Sequence, residues 1–504
     1  MTAFKTFVDR LDYPEIYVGL VGPVGVNMRA VVDALMSEFR RFQYKSVHLK
    51  LSERIKSLDL EIDLSYTNEY QRIDKMMSAG NALRALTARN DAFAYISSLA
   101  IRDYRGTEPL EKTAFIIDQL KRPEEVDTLR KIYGDNFIQI SVFSPEQDRL
   151  NTLSERLIQS TAGEYSERDA KEHALHLIHR DEEEGEDPHG QRLRDTFHRA
   201  DVIIDASNNQ RIAGTLSRFM DGLFGYPFIT PTRDEYFIAI ARIVARRSSD
   251  LSRQVGAVIA RPTGEVVSLG CNEVPKASGG TYWEGDTGDA RDFVIGYDAN
   301  AIEKDKLLND IIRRIGNHLY ADDNDKLKRS QFLKEIKESK IARVKDALFM
   351  DVLEFGRIIH AEMNALTDCV RFGLNAADAT LYSTTYPCHI CARHIVASGL
   401  DRVVYLEPYV KSLAERLYVD SITAEGGNCD TPQQVRFEPF IGIAPPMYLK
   451  IFSKGRRKDG DGQANNWIPS GATPIIENIV PGYIQVEAMV VKQFVGLLEE
   501  KNII

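Results

Sequence analysis

The first half of the chain alternates short apolar runs with longer stretches of helical spacing. The apolar runs are rich in β-branched residues, which favours strands over helices. They lie at 16–22, 46–52, 113–118, 137–143 and 200–205. A helical stretch between two of them ends on Gly134, a residue suited to the C-terminus of a helix. We therefore predict a parallel, doubly wound α/β sheet for residues 1–228.

A second pattern follows a break at 225–236, where a glycine and two prolines interrupt the alternation. We place a domain boundary there, before residue 229. The second domain, 229–455, opens with a helix and continues with five strand-like runs, which predict a five-stranded sheet. The runs lie at 255–260, 265–272, 380–385, 402–408 and 435–442. A charged stretch of helical period at about 298–350 predicts a helical insertion, and 456–504 predicts a C-terminal extension with an amphipathic helix.

Composition and charge narrow the class of protein. Hydrophobic residues make up 43% and charged residues 27% of the 504 positions, which is typical of soluble globular proteins. The longest apolar stretches are far shorter than a membrane span, and the N-terminus lacks a cationic start followed by an apolar block. We therefore expect a cytoplasmic protein without a membrane segment. The net charge of −10 argues against a protein that coats nucleic acid, but it leaves open a small phosphorylated ligand or a regulatory RNA.

The five cysteines are too few for a disulfide scaffold, yet two of them stand close together. Cys388 and Cys391 follow Pro387 and share one face of a predicted first helical turn. Upstream, the sequence HAE puts His360 and Glu362 at the start of another predicted helix. A catalytic zinc ion takes three protein ligands and leaves one position for water. His360, Cys388 and Cys391 supply that number. Glu362 is then a nearby carboxylate that need not ligate.

Two other interpretations of the cysteine pair stay open at this point. A structural zinc site would need a fourth protein ligand, for which His389 and His394 are candidates, although His389 should face away from the pair. A redox-active Cys-x-x-Cys would leave the upstream HAE sequence unexplained. The remaining cysteines are expected to be buried apolar residues rather than ligands. They are Cys271, Cys369 and Cys429.

Several stretches together resemble one protein family. The sequences RSSDLSRQVGAVIA, LGCNEVP, HAEMNAL and TTYPCHICARHIVASGL occur in the order typical of the deoxycytidylate deaminase family, within the cytidine deaminase superfamily. With the last predicted strand they span about 235–445. The stretches EFGRIIHAEMNAL, EPYVKSLAERLYVDSI and FEPFIGIAPPMY follow a domain that looks like a P-loop kinase. This layout resembles the anti-phage dCTP/dCMP deaminases more closely still.

The resemblance implies a three-layer α/β/α deaminase fold with a mixed five-stranded sheet, and conversion of deoxycytidine nucleotides to deoxyuridine nucleotides. The second, structural zinc of that family has no visible set of spare ligands in this sequence, so we predict one zinc ion per chain. In zinc deaminases with an H-x-E…P-C-x-x-C pattern, the metal lowers the pKa of its water towards ~7, and the residue matching Glu362 is general acid and base rather than ligand. The family pattern also implies that Asn272 holds the deoxyribose, Arg253 contacts phosphate and Ala361 lines the substrate site. For Arg253 the alternative is a surface salt bridge. A homo-oligomer and depletion of dCTP during infection are further expectations.

The sequence GLVGPVGVNMRAVVDAL follows the first strand and opens a helix, as a phosphate-binding loop does. Asn27 and the two residues after it replace the glycine, lysine and hydroxyl residue that such a loop uses for phosphate and magnesium. We therefore predict a degenerate loop, in which kinase activity is disfavoured. Its predicted nucleotide-binding residues are Gly22, Gly25, Asn27 and Asp118. Binding of a regulatory nucleotide or RNA without turnover and a purely structural sheet are both left open. We interpret the acidic run 181–187 as a solvated loop.

Three functional hypotheses follow. The favoured one is a zinc-dependent deaminase of free dCTP or dCMP, in anti-phage defence or as a housekeeping enzyme, and the sequence does not choose between the two nucleotides. A cytosine or adenine deaminase acting on tRNA or single-stranded DNA would need a basic channel with stacking aromatic residues, and the acidic balance counts against it. A sensor with a merely structural deaminase-like domain is disfavoured by the complete set of candidate site residues.

Overall fold

The computed structural model describes residues 12–182, 184, 187–319, 330–331, 354–408, 412–424, 434–476 and 482–504, with only the backbone at 316–319. The chain divides into two compact units. The first unit comprises Met1–Tyr236 and Phe440–Ile504, and the second comprises Phe237–Pro439. Residues 440–455, which the sequence analysis assigns to the second domain, therefore pack with the first unit. The predicted insertion at 298–350 is described only in part.

Twelve strands lie within the described residues. They are β1 Ile16–Val21, β2 Lys45–Lys50, β3 Thr113–Asp118, β4 Phe137–Phe143, β5 Val202–Asp205, β6 Gly256–Ala260, β7 Val266–Cys271, β8 Thr380–Thr385, β9 Arg402–Glu407, β10 Ile422–Ala424, β11 Val435–Pro439 and β12 Gly442–Ile443.

The described helices fall before, between and after these strands. They are α1 Met28–Arg41, α2 Leu51–Ile55, α3 Glu69–Thr87, α4 Ala92–Arg105, α5 Pro123–Tyr133, α6 Glu146–Ser160, α7 Glu167–Glu182, α8 Leu193–Phe197, α9 Asn209–Leu223, α10 Arg233–Ala245, α11 Asp292–Ile295, α12 Ala299–Leu319, α13 Ala361–Phe372, α14 His389–Ala397, α15 Ala414–Leu417, α16 Pro445–Phe452 and α17 Gly482–Glu500. Short 3₁₀ turns occur at Gly134–Asn136 and Pro469–Gly471. Of the helices in the described ranges, none combines the length and apolar character needed to cross a membrane.

The first unit is built on a six-stranded sheet in the order β12–β5–β4–β1–β3–β2. β1 to β5 are the five predicted strands, and all neighbours among them run parallel, which confirms the predicted parallel arrangement. β12 runs antiparallel to β5, so the sheet as a whole is mixed. Along β1, Val18 belongs to one buried apolar cluster and Tyr17 to another. Both faces of the sheet are therefore covered, as expected for a doubly wound arrangement.

The second unit contains a mixed sheet in the order β10–β11–β9–β8–β6–β7. Neighbours from β10 to β8 are parallel, and β6 is antiparallel to β8 and β7. The predicted number of five strands is therefore too low, because β10 has only three residues and shows no recognisable alternation. The last predicted strand, 435–442, is also interrupted. β11 ends at Pro439, which has no N–H with which to continue the ladder, and Gly442 begins β12.

Two glycines allow helices to lie close against the sheet of the second unit. A Cβ atom on Gly256 would stand 2.1 Å from the carbonyl oxygen of Ala241 in α10. A Cβ atom on Gly270 would stand 2.2 Å from the carbonyl oxygen of Ala361, at the first turn of α13. Because these obstacles are backbone atoms, no side-chain rotation could make room. Gly270 therefore sets how closely the start of α13 approaches β7.

We expect Gly270→Ala to lower the free energy of unfolding by about 1–3 kcal/mol, since the added methyl group must displace α13 from β7. Urea unfolding of the two proteins measures the difference. Gly214→Ala is the matched control, because Gly214 lies within α9 with nothing within 4 Å of the added atom. This control should be neutral or stabilising by about 0.5–1 kcal/mol. Equal losses in both variants would contradict the close-packing argument.

Candidate metal centre

The backbone changes from extended to helical at His360. This residue is the N-cap of α13, with φ −67° and ψ 154°. The preceding residue, Ile359, forms two backbone hydrogen bonds with Glu273, of 3.1 and 3.3 Å. This short antiparallel bridge holds the backbone just before His360. On a regular helix His360 and Glu362 would point in different directions. With His360 still extended, both side chains contact Cys391.

The two cysteines are carried by the start of a second helix. Cys388 is the N-cap of α14, and Cys391 lies in its first turn and is fully buried. The N–H of Ala392 donates to the carbonyl oxygen of Cys388 at 2.9 Å. The hydroxyl of Ser412 donates to the carbonyl oxygen of Pro387 at 2.8 Å, which fixes the entry to the helix. The positive end of the helix dipole favours thiolates at this position.

His360, Cys388 and Cys391 come together as one cluster, which we call the metal group. Each Sγ lies 3.3 Å from Nδ1 of His360, and the ligand atoms of all three residues lie within 4.8 Å of one another. Ligand atoms bound to one tetrahedral zinc ion at ~2.0–2.3 Å are roughly 3.5–3.8 Å apart. The spacing and the donor set therefore fit zinc.

The other candidate ligands do not join the metal group. Within the described ranges, no fourth histidine, cysteine, aspartate or glutamate completes it, which leaves out His389 and His394. This count matches a catalytic zinc site better than a structural one. Cys271 and Cys369 are buried, which confirms their predicted burial. Cys429 lies outside the described residues.

Hydrogen bonds set the protonation of the metal group. The bond with Cys388 raises the pKa of His360 to about 9. A hydrogen bond from Cys391 lowers the pKa of Cys388 to about 4, and the same pairing, together with burial, raises the pKa of Cys391. Zinc requires a neutral imidazole and thiolates, so metal binding must release the protons that His360 and Cys391 hold.

Glu362 is a buried carboxyl group beside the metal group. The hydroxyl of Ser383 lies 3.3 Å from Oε1, and Sγ of Cys391 lies 3.5 Å from Oε2. Burial raises the pKa of Glu362, and the charge of Cys388 raises it further. A raised pKa is the direction expected of a carboxyl group that acts as an acid as well as a base. Ser383 was missed by sequence reasoning, because a serine in a β-branched strand carries no recognisable signal.

The metal group lies at a cavity of about 440 Å³ in the second unit. The residues that line this cavity include His360, Glu362 and Cys388, and also the three predicted substrate residues Arg253, Asn272 and Ala361. The structure thus brings the predicted substrate residues and the metal group to one cavity.

Asn272 shapes the loop that carries Arg253. Its side-chain N–H groups donate to Oδ2 of Asp250 at 2.9 Å and to the carbonyl oxygen of Arg253 at 2.7 Å. Its Oδ1 accepts from the backbone N–H of Val255 at 2.7 Å. Asn272 is buried, whereas Arg253 is exposed at the cavity. The contact that the family pattern implies between Asn272 and deoxyribose stays a prediction.

Arg357 is a second arginine at the cavity that sequence reasoning missed. It donates to Oδ1 of the buried Asp292 at 2.8 Å and to the carbonyl oxygen of Ala290 at 3.0 Å. Burial raises the pKa of Asp292, and the charge of Arg357 opposes that shift. Asp292 lies in α11, 65 residues before Arg357, and nothing in the spacing of the two residues reveals their pairing.

The predicted nucleotide-binding residues lie in the first unit, near the carboxyl ends of β1 and β3. Gly22 follows β1, Gly25 has a φ of +90°, and Asn27 caps α1 through its side chain. Asp118 ends β3, and its Oδ2 lies 3.2 Å from Nε2 of His48. The four residues are therefore gathered at one edge of the sheet, and their binding of nucleotide stays a prediction.

Comparison with known proteins gives a family match for part of the chain. Residues 231–407 match the family model of the cytidine and deoxycytidylate deaminase zinc-binding region. ComE operon protein 2 of Bacillus subtilis (strain 168) is 42% identical over 65 residues, which are 12% of this chain and 34% of that protein. The deoxycytidylate deaminase of Mycobacterium phage D29 is 53% identical over 47 residues, 9% of this chain and 35% of that protein. The chain thus spans about a third of the length of these relatives.

One solved structure that this chain is similar to is the dCMP deaminase of cyanophage S-TIM5 in complex with dCMP and dUMP. It is 15% identical, with a TM-score of 0.23, and the match covers 42% of this chain and 100% of that one. The family match and the metal group together show that residues 231–407 are similar to the zinc-binding region of the cytidine and deoxycytidylate deaminases, and that the cofactor of this region is zinc.

Proposed function

We propose that the second unit deaminates deoxycytidine nucleotides (dCTP, dCMP or both) to deoxyuridine nucleotides by hydrolysis, with release of ammonia. The observation that carries this proposal is the buried carboxyl group of Glu362 beside the metal group, in a cavity of a size suited to a small ligand. His360, Cys388 and Cys391 would hold one zinc ion per chain. When bound, zinc supplies the Lewis acidity that activates water for attack on the ring carbon bearing the amino group.

The protein's own residues would then move the protons. Glu362 takes a proton from the attacking water and delivers it to the ring nitrogen of cytosine. It then takes the remaining proton from the added hydroxyl group and passes it to the departing ammonia as the C–N bond breaks and the carbonyl forms, so the same carboxyl group serves as base and as acid. Ser383 holds Oε1 of Glu362 at 3.3 Å, which keeps the carboxyl group in one orientation. Its raised pKa supports this double role, because a carboxyl group of ordinary pKa would be a poor acid at neutral pH.

The substrate would be a free nucleotide rather than a nucleic acid. Arg253 stands at the cavity on a loop fixed by Asn272, where its guanidinium would contact phosphate. Ala361 would lie against the base, and Asn272 near the deoxyribose. The net charge of −10 disfavours a long polyanion. We further propose that the protein is a cytoplasmic homo-oligomer that depletes dCTP during phage infection. A regulatory nucleotide or RNA would bind at the first unit. A housekeeping dCMP deaminase is the alternative.

Incubation of the zinc-loaded chain with dCMP, dCTP, CTP and a cytosine-containing oligonucleotide tests the proposal. Uracil product is followed by chromatography, and we expect it from a deoxycytidine mononucleotide or triphosphate. Conversion of the oligonucleotide alone would contradict the proposed substrate class and would indicate a deaminase that acts on nucleic acid. Absence of product from every substrate, despite bound zinc, would favour a sensor over an enzyme.

A further inference from the structure

Glu273 is a buried carboxyl group in the second unit to which the proposed mechanism gives no role. It is 1% exposed. Among the described residues, the groups that donate hydrogen bonds to its side chain are all neutral, and they belong to Ser249 and Val274. A buried carboxylate without a cation beside it is costly for folding. The presence of Glu273 is therefore better explained by what it holds in place than by a gain in stability.

Both oxygens of Glu273 face hydrogen-bond donors. Oε2 accepts from the backbone N–H of Ser249 at 3.0 Å and from the hydroxyl of the same residue at 2.7 Å. Oε1 accepts from the backbone N–H of Val274 at 2.9 Å. A glutamine in this position would turn its NH₂ group towards one of these two backbone N–H groups, which cannot accept a hydrogen bond. The surroundings therefore require an acceptor at both oxygens, as only a carboxylate supplies.

The backbone of Glu273 holds a different part of the cavity wall. It forms the two hydrogen bonds with Ile359, of 3.1 and 3.3 Å, directly before the metal-group residue His360. Arg357, two residues before Ile359, also lines the cavity. One residue thus fixes the segment that carries His360 through its backbone and holds Ser249 through its side chain.

The contact with Ser249 leads directly to the loop that carries Arg253. Asp250 follows Ser249, and its Oδ1 accepts from the backbone N–H of Ser252 at 2.6 Å and from that of Arg253 at 3.4 Å. These bonds close a tight turn over 250–253, and all four of its residues line the cavity. Because the turn begins next to Ser249, a shift of Ser249 away from Glu273 would move Arg253 as well.

We propose that Glu273 is a positioning residue, which sets the distance between the turn that carries Arg253 and the segment that carries His360. The phosphate contact and the metal group are thereby held at the separation that one nucleotide spans. Glu273 acts through Ser249 and Ile359 rather than by touching the substrate. This inference rests on the proposed deaminase function and adds to it the residue that joins its two halves.

Kinetics of a Glu273→Gln variant of the full chain tests this inference. We expect KM for the preferred nucleotide to rise at least about tenfold while kcat stays within about threefold, because a displaced Arg253 weakens binding without touching the reacting atoms. Zinc content should stay at about one ion per chain. Calorimetry with the product, dUMP or dUTP, should show the same loss of affinity without any turnover.

Two further variants accompany this experiment. Glu265→Gln is the matched control, since Glu265 is an exposed glutamate directly before β7, and it should leave KM and product affinity unchanged. Ser249→Ala removes only the hydroxyl donor, so it should weaken product binding about two- to fivefold. When it is added to Glu273→Gln, the second change should cost little more, because both remove the same contact.

The outcomes separate this inference from the proposed function. If the wild type deaminates nucleotides, a normal KM and product affinity in Glu273→Gln would overturn the inference alone. Zinc loss, a fall in kcat with KM unchanged, or fully additive losses in the double variant would do the same. If Glu273→Gln does not melt cooperatively, Ser249→Ala decides, and an unchanged affinity in that variant is the contrary result. An inactive, zinc-loaded wild type would remove the proposed function and this inference together.

Discussion

A Glu362→Gln variant should deaminate its nucleotide about 10²–10⁴ times more slowly than the wild type while keeping its zinc. The amide has the size of the carboxyl group, so it fits the buried position beside Ser383. It cannot take a proton from water or return one to ammonia, so both steps assigned to Glu362 are lost. Steady-state kinetics with the preferred nucleotide gives the rate, and atomic emission gives the zinc content.

The matched control for this experiment is Glu284→Gln. The side chain of Glu284 is 92% exposed and pairs with Arg291 at the surface, so the same chemical change there should leave the rate within about twofold of wild type. A Glu362→Gln variant with a nearly normal rate would contradict the proposed role of the carboxyl group. Loss of zinc together with activity would instead make Glu362 a metal-site residue.

Cys391→Ser should lower the zinc content from about one ion per chain to near zero and abolish activity. A serine hydroxyl is far less acidic than a thiol and does not supply the anionic ligand that zinc needs. Cys391 also contacts both His360 and Glu362, so its loss disturbs the centre of the site. Zinc content, activity and melting temperature are measured on the same preparation, and we expect all three to fall.

Cys369→Ser provides the comparison at an equally buried thiol. Cys369 lies in α13 but outside the metal group, so this variant should keep its zinc even if it melts at a lower temperature. Zinc retained by the Cys391→Ser variant would remove Cys391 from the proposed ligand set. Equal zinc loss in both variants would show that burial of a thiol, rather than ligation, explains the result.

The strands predicted most accurately from the sequence are those whose own residues form a clear run of apolar and β-branched side chains. β1 and β4 are runs of apolar and β-branched residues, and their limits lie within one residue of the predicted ones. β10, with three residues, is too short for any alternation. The split of the predicted strand 435–442 depends on a partner, since β12 forms only by pairing with β5. Local patterns do not encode such long-range pairing.

The residues of the candidate site show the same difference between local sequence patterns and long-range contacts. The spacing of Cys388 and Cys391 and the HAE sequence around His360 were enough to predict a metal group. Ser383 and the pair formed by Arg357 and Asp292 were not predictable, because only tertiary structure brings Ser383 to Glu362 and the pair to the cavity.

Asp181 shows the opposite kind of failure, in which a strong local signal misleads. An acidic run is normally exposed to solvent, whereas the carboxylate of Asp181 is buried. It accepts hydrogen bonds from Lys121 and Val24, which lie 60 and 157 residues away in sequence. No local reading of the acidic run could have found either partner.

The return of residues 440–504 to the first unit has a consequence for biosynthesis. β12 completes the sheet of that unit, and Phe494 and Leu498 of α17 belong to its buried apolar cluster. On the ribosome, the N-terminal portion must therefore wait, with part of its interior uncovered, until the whole second unit, Phe237–Pro439, and the residues after it have been translated. We therefore expect chaperones to bind nascent chains that are stalled before residue 440.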